Sequence, residues 1–148
     1  MIAVGKVREA YIAQACADFA KRLRPYYPLE ITEVRPGNGE PQAVMRDEAA
    51  RVLAAVQPGD VVWLLDRTGE QIDSPALSRK LQAVADDGVR RLCIIVGGTF
   101  GVDDALRSAA SFVWSLSQLT FLHEWARAMV LEQLYRAAKI ARGEPYHH

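Results

Sequence analysis

Two segments of the sequence place glycine or small polar residues at the end of a predicted strand, where a small molecule could bind. Residues 92–96 are an apolar run rich in β-branched residues that stops at a Gly-Gly pair, as a buried parallel strand does on reaching a turn. Residues 113–121 repeat this design, with a short strand followed by a serine-rich loop. At the carboxyl edge of a parallel sheet, backbone N–H and C=O groups lack ladder partners and can bind a ligand. The two segments therefore predict one ligand cleft.

The glycine turn at 97–101 does not match a known nucleotide motif. It lacks the spacing of a dinucleotide fingerprint, and the chain contains no Gly-Lys-Ser/Thr phosphate loop. A glycine at a strand end is often only a structural turn, so the motif alone leaves both interpretations open. The sequence also contains no nucleophile elbow, metal-binding histidine pair or Ser/His/Asp order. These observations argue against hydrolysis and against a metal centre.

All three histidines lie near the carboxyl terminus, at position 123 and in the final Tyr146-His147-His148 segment. A terminal histidine pair can be a disordered end. A tyrosine and two histidines beside a pocket, however, suit recognition of a planar polar base by stacking and hydrogen bonds. His123 either caps the last helix or faces the pocket, and the sequence favours neither.

The net charge does not indicate a nucleic-acid partner, because 18 Lys and Arg residues balance 18 Asp and Glu residues. A local patch can still bind RNA, and the basic residues are clustered. The clusters are Lys6 and Arg8, then Lys21, Arg22 and Arg24, then Arg127, Arg136, Lys139 and Arg142.

Compartment and domain number follow from simple features of the sequence. Cys16 and Cys93 lie in apolar segments without metal-ligand spacing, which fits a reduced compartment. No signal peptide and no apolar run long enough to cross a bilayer is found. We therefore expect a cytoplasmic protein with one domain, residues 1–148, that needs neither a membrane nor a metal.

Hydrophobic periodicity predicts five β-α repeats joined by short connections. This order is typical of an α/β three-layer sandwich with a mainly parallel sheet of five or six strands. We expect Thr120 to cap the last helix and Ser74 to cap the third, and the alternating segment 29–34 to lie near a sheet edge. The predicted strands are 2–4, 29–34, 61–65, 92–96 and 112–116, and the predicted helices are 7–24, 42–57, 74–87, 102–110 and 120–142.

The last predicted helix has an apolar surface wide enough to cover both the sheet and a second subunit, so we expect a homodimer. The residues of this surface are Leu122, Trp125, Ala126, Met129, Val130, Gln133, Leu134, Ala137 and Ile140.

Several of these segments together resemble the RlmH family of the SPOUT superfamily, whose members are 23S rRNA pseudouridine N3-methyltransferases. The resemblance spans essentially the whole chain, and its combination of motifs is specific although each motif alone is weak. Proline is usual in the family where Thr99 and Leu122 stand, and Arg or Lys where His148 stands. The matching segments are 65–66, 95–101, 115–121, 132–137 and 142–147.

The resemblance implies a fold with a deep C-terminal trefoil knot, which generic topology rules would not predict. It also implies a homodimer and a bound S-adenosyl-L-methionine, held by main-chain groups within the knot. The cofactor-binding residues implied are Leu65, Gly97, Leu116, Ser117, Gln118, Leu119, Thr120 and Phe121.

The reaction implied is methyl transfer to N3 of a pseudouridine in 23S rRNA, without a metal. Because a protomer of neutral net charge is poorly equipped to bind naked RNA, we expect the substrate to be the assembled ribosome. We expect Tyr146, His147 and His148 to recognise the base and to assist its deprotonation. RNA phosphates would be contacted by Arg127, Arg136 and Arg142. The alternatives are a non-catalytic ribosome- or RNA-binding module of the same fold and a SPOUT methyltransferase that acts on another RNA.

Overall fold

A computed structural model describes residues 1–146 of the chain. In this range strands and helices alternate five times, which confirms the predicted β-α order. The elements are β1 (Ile2–Val4), α1 (Ala10–Leu23), β2 (Thr32–Val34), α2 (Pro41–Ala55), β3 (Val61–Gln71), α3 (Ser74–Asp86), β4 (Leu92–Val96), α4 (Asp104–Ala109), β5 (Phe112–Ser115) and α5 (His123–Ala141).

The five strands form one parallel sheet in the order β2-β1-β4-β3-β5. The alternating strand β2 lies at one edge, and the apolar residues 61–65 of β3 and the apolar β4 lie inside, as the sequence predicts. Because all strands are parallel, the loops that follow β3, β4 and β5 emerge at the same end of the sheet.

Helices cover both faces of the sheet, so the predicted three-layer α/β architecture is confirmed. Alternate residues of the inner strands supply the two cores. On one face, Trp63 and Ile94 pack with α1, α3 and α5, and Val130, Leu131 and Ala137 of α5 are fully buried. On the other face, the core joins α2 and α4 to the sheet through Ile2, Val4, Ala49, Val52, Val62, Leu64, Cys93, Ile95 and Leu106.

Strand β3 is longer than the sequence predicts, since it continues from Leu65 to Gln71 after a break in its register with β5. Gly69 permits the continuation, because a Cβ atom there would lie 2.4 Å from the carbonyl oxygen of Val113. The polar segment 66–70 is typical of a loop by composition, and only this close approach of two backbones makes it a strand.

Two predicted helix caps also differ from the observed ones. Helix α5 begins at His123 with Leu122 at the N-cap position, so the predicted Thr120 cap is wrong. Helix α3 is capped by Asp73, whose Oδ1 accepts from the N–H of Ala76 at 2.7 Å. The predicted cap Ser74 instead donates to Oε1 of Gln133 on α5, at 2.9 Å. In each case the true cap lies one or two residues from the expected one.

We predict that Asp60 supports folding down to acid pH. Its side chain is 4% exposed and accepts hydrogen bonds from Arg91, which lower its pKa from 3.8 to about 2. A lowered folded pKa contributes stability that is present above the unfolded value and is lost as the pH falls from about 4 to about 2. D60N should therefore reduce the free energy of unfolding by about 1 to 2 kcal/mol at pH 7 and by little at pH 2.

Urea denaturation at pH 7, 4 and 2.5 measures this effect. D47N is the matched control, because Asp47 forms an exposed pair with Arg51 one helical turn away, and such pairs contribute only about 0.5 kcal/mol. Equal losses in the two variants at pH 7 would contradict the prediction.

Candidate active site

A cleft of about 290 Å³ opens where β3, β4 and β5 end. Its size is close to the lower end of small-molecule sites, about 300 Å³. The sequence predicted eight ligand-binding residues, and seven of them line this cleft. These seven are Leu65, Gly97, Leu116, Ser117, Leu119, Thr120 and Phe121. Gln118 belongs to the same loop but does not line the cleft.

The glycine turn after β4 forms one wall of the cleft and is tightly packed at its first glycine. A Cβ atom on Gly97 would lie 2.6 Å from Cγ1 of Val102 and 3.1 Å from the carbonyl oxygen of Gly101. A Cβ atom on Gly98 would lie 2.5 Å from Oε2 of Glu48. A side chain at position 97 would therefore overlap Val102, whereas at position 98 the end of the Glu48 side chain could move to make room. The turn is tightly packed at Gly97 and also lines a cleft, so both interpretations of the turn stay open.

The loop after β5 forms the opposite wall and is held by its own serines. The Oγ atom of Ser115 lies 2.9 Å from the carbonyl oxygen of Ser117, and the N–H of Leu119 donates to Oγ of Ser117 at 3.1 Å. Among the described residues, no other N–H group between 118 and 122 has a hydrogen-bond acceptor. The loop thus offers main-chain donors to a ligand.

Asp66 lies at the floor of the cleft and is already occupied by protein donors. Thr68 donates to its Oδ1 at 2.6 Å, and Arg107 donates to its Oδ2 at 2.9 Å. Burial opposes ionisation of Asp66, but these donors outweigh it and lower the pKa of the carboxyl below its usual value. Asp66 therefore fixes the end of the apolar part of β3 and holds no proton for transfer at neutral pH.

The first turn of α5 closes the cleft and joins it to the start of the chain. Glu124 accepts from the N–H groups of Arg8 and Glu9 at 2.9 and 3.2 Å, and so fixes the segment before α1. Burial lowers the pKa of His123, so its imidazole is neutral at pH 7. His123 lines the cleft, which favours the pocket role. The buried role of Glu124 could not be recognised from the sequence, because a charged residue in a first helical turn is usually exposed.

Arg127 is buried inside the protomer, so its predicted contact with RNA phosphates is wrong. Its side chain is 2% exposed and pairs with Oε1 of Glu33 at 2.8 Å. It also donates to the carbonyl oxygens of Val4 and Gly5 at 2.7 and 2.5 Å. The guanidinium therefore connects α5 to the ends of β1 and β2, where it supplies hydrogen bonds to backbone carbonyl groups that have no partner in a neighbouring strand of the described sheet. Its position in a basic cluster gave no sign of this burial.

The other predicted RNA and base contacts lie at the far end of α5. Tyr146 packs edge-on against Tyr135 and donates to Oε1 of Glu132 at 3.3 Å, and burial raises its pKa. Arg136 is paired with Glu132, whereas Arg142 is exposed. Glu132 lies nine residues after His123, about 14 Å along α5, so Tyr146 and the cleft lie apart within one protomer. His147 and His148 lie outside the described residues.

Within residues 1–146, no helix is long and apolar enough to cross a membrane. The same part of the chain contains no group of three His, Cys, Asp or Glu side chains arranged to hold a metal ion. Cys93 is buried and Cys16 is partly buried, and both are free thiols.

Comparison with known proteins gives the class of this parallel sheet and its carboxyl-end cleft. The model of a family described as "Predicted SPOUT methyltransferase" matches residues 1–147. The chain belongs to this family, as the resemblance in the sequence implied.

Two relatives bear the same name, "Ribosomal RNA large subunit methyltransferase H". The protein of Pelobacter propionicus is 43% identical over 146 residues, which cover 98% of this chain and 95% of the relative. The protein of Gloeobacter violaceus is 43% identical over 149 residues, which cover 100% of this chain and 97% of the relative. These relatives confirm the resemblance to the RlmH family.

One solved structure, the SpoU methyltransferase AviRb from Streptomyces viridochromogenes in complex with AdoMet, is a distant match. It is 18% identical with a TM-score of 0.42, and the match covers 91% of this chain and 46% of that chain. A TM-score this low carries no argument about the present chain.

Proposed function

We propose that this protein is an S-adenosylmethionine-dependent methyltransferase that modifies N3 of a pseudouridine in 23S rRNA. The observation that carries the proposal is the cleft between the glycine turn and the serine loop, where main-chain N–H groups without an acceptor among residues 1–146 lie opposite Gly97 and Gly98. The relatives' name supports a large-subunit rRNA substrate. A cytoplasmic location follows from that substrate.

The residues of the cleft fit the cofactor. A Cβ atom on Gly97 would fill space in the turn, and Leu65 with the loop 116–121 would hold the adenosine through main-chain groups and apolar contact. When bound, the cofactor supplies a methyl group on a cationic sulfur. The protein's own task is to hold the acceptor nitrogen in line with that methyl group and to exclude water.

We infer the C-terminal knot from the path of the chain after β5. Strand β5 pairs with β3, whereas Arg127 in α5 contacts the end of β1 on the far side of β4. Residues 116–122 must therefore cross the ends of β3 and β4 to connect the two. Passage of this crossing through the loop at 97–102 would form the trefoil knot of the SPOUT fold.

The active site needs a second subunit. N3 must lose its proton, and our candidates for base recognition and deprotonation remain Tyr146, His147 and His148. Because Tyr146 packs beside Glu132 in the middle of α5, about 14 Å from the start of the helix at its own cleft, it would act at the partner's cleft. Exposed apolar side chains around the cleft and on the adjoining helices support a homodimer; they are Tyr11, Phe100, Leu119, Phe121, Leu122 and Trp125.

We predict that W125E converts the dimer into a monomer. Trp125 is 41% exposed and stacks on Tyr11, which is 58% exposed, with ring centroids 5.8 Å apart. A charge in this apolar patch would be desolvated at the interface, so we expect dimer dissociation to become at least about 100-fold more favourable. Light scattering after gel filtration measures the mass. I31E is the control, because Ile31 is similarly exposed at 40% but lies outside this patch, and an unchanged W125E dimer would contradict the assignment of this face.

Besides Arg136, whose guanidinium lies over the Tyr146 ring, exposed basic side chains near the ends of α1 and α5 are suited to RNA phosphates. Arg142 is exposed and donates to the carbonyl oxygen of Pro25, just after α1, which brings it near Arg24. Lys21, Arg22 and Arg24 lie on the last turn of α1 or directly after it. We propose that these four side chains bind rRNA next to the base-binding tail.

Calorimetry and a methylation assay test the proposal. The wild-type protein should bind S-adenosylmethionine and should transfer one methyl group to ribosomes isolated from a strain that lacks the modification. Free 23S rRNA fragments should react much more slowly, because a neutral protomer binds naked RNA weakly. Binding without transfer would favour the non-catalytic module, and methylation of another nucleoside in mass mapping would favour another RNA substrate.

A further inference from the structure

Glu48 on α2 is a buried carboxylate that the protein leaves half satisfied. It is 4% exposed. Its Oε1 accepts from the N–H of Gly37 at 3.0 Å, whereas its Oε2 is buried without any hydrogen-bond partner among the described residues. A buried polar atom without a partner costs free energy, so its retention calls for a reason.

The free oxygen of Glu48 faces the back of the glycine turn. Oε2 lies 2.5 Å from the position that a Cβ atom of Gly98 would occupy, and Oε1 and Cδ lie 3.0 Å from it. Gly98 itself lines the cleft. The carboxylate is therefore separated from the cleft by the backbone of one residue without a side chain.

No cation of the described chain neutralises this carboxylate. Glu48 takes part in none of the ion pairs of residues 1–146, and the buried Arg127 nearby is committed to Glu33. His123, which also lines the cleft, is held neutral by burial. The environment behind the glycine turn is therefore negative, and electrostatic interactions are strong where water is excluded.

We propose that Glu48 makes the cleft selective for a positively charged methyl donor over the neutral product. This inference rests on the proposed function and adds a residue to it. The donor carries a sulfonium cation, and transfer of its methyl group leaves a neutral thioether. The Glu48 charge acts on the first and not on the second, so it favours donor binding and product release. Glu48 does not itself touch the reacting atoms; it acts through the field across Gly98.

Isothermal titration calorimetry of E48Q with the donor and with S-adenosylhomocysteine tests this role. Glutamine keeps the shape of the side chain and an acceptor for Gly37, but removes the charge. We expect E48Q to bind S-adenosylmethionine at least about tenfold more weakly, with less than a twofold change for S-adenosylhomocysteine. E48D, which keeps the charge, should retain the wild-type ratio of the two affinities. D60N is the control for loss of a carboxylate outside the cleft.

Each outcome has a distinct meaning. Equal weakening of both ligands, or no change in either, would overturn the role of Glu48. Wild-type protein that binds neither ligand would instead contradict the proposed function. If E48Q is unfolded by circular dichroism, E48M supplies the same measurement, because methionine fills a similar volume without a polar atom.

Discussion

Replacing Arg127 with methionine is expected to lower the free energy of unfolding by about 3 to 5 kcal/mol, the cost of removing one partner of a buried ion pair. Methionine would fill much of the volume, but the carbonyl oxygens of Val4 and Gly5 would lose their donors and Glu33 its cation. Since α5 is tied to β1 and β2 through this side chain, the whole amino-terminal edge of the sheet should loosen. Urea denaturation monitored by circular dichroism measures the loss.

The control for Arg127 is its partner. The Glu33 side chain is 34% exposed, so water can replace part of its interaction, and E33Q should cost only about 1 kcal/mol. If R127M were as stable as wild type but bound ribosomes more weakly, the buried structural role assigned to Arg127 would be wrong. The predicted contact of Arg127 with RNA phosphates would then be favoured instead.

Replacing Gly97 with alanine is expected to weaken S-adenosylmethionine binding by about 30-fold. The added Cβ atom would press on Val102 and on the carbonyl oxygen of Gly101, and overpacking of this kind costs about 2 kcal/mol. The turn can relieve the pressure only by moving its backbone into the cleft. Calorimetry gives the affinity, and thermal melting shows whether the protein remains folded.

A double variant separates crowding in the turn from other effects. V102A removes the methyl group that the new Cβ atom would meet at 2.6 Å, so G97A/V102A should recover most of the lost affinity while V102A alone stays close to wild type. G69A is a second comparison. Its Cβ atom would lie 2.4 Å from the Val113 carbonyl oxygen at the β3-β5 pairing. G69A should therefore lower the free energy of unfolding more than it lowers the affinity for S-adenosylmethionine. Failure of V102A to rescue G97A would contradict the mechanism.

The sequence predicts most of the fold because periodicity reports which faces are buried. The apolar runs that became β3 and β4 and the alternating run that became β2 each indicate their place in the sheet. The extension of β3 beyond Leu65 could not be foreseen, because it depends on the approach of Gly69 to a strand more than 40 residues later. The start of α5 was misplaced because its N-cap Leu122 makes no side-chain cap.

The walls of the cleft can be predicted from the sequence, whereas the charged residues around it cannot. Glycine and serine at strand ends are local signals that predict a cleft there, and seven of the eight cofactor-binding residues implied by the family resemblance line it. Glu48, Glu124 and Arg127 carry no such signal, since a charged residue on a helix is exposed in most proteins. Their roles depend on which distant backbone groups lie opposite them, and only the tertiary structure supplies that information.

The contacts of α5 with the start of the chain have a consequence for how the protein is made. Arg127 binds Val4 across 123 positions of sequence, and Glu124 binds Arg8 across 116. During translation the first strand is synthesised long before these partners leave the ribosomal exit tunnel. The core of the nascent amino-terminal half therefore remains incomplete until the last helix has been synthesised. Contacts of such long sequence separation also form slowly. We therefore expect β1 and β2 to reach their native stability only after α5 has packed against them.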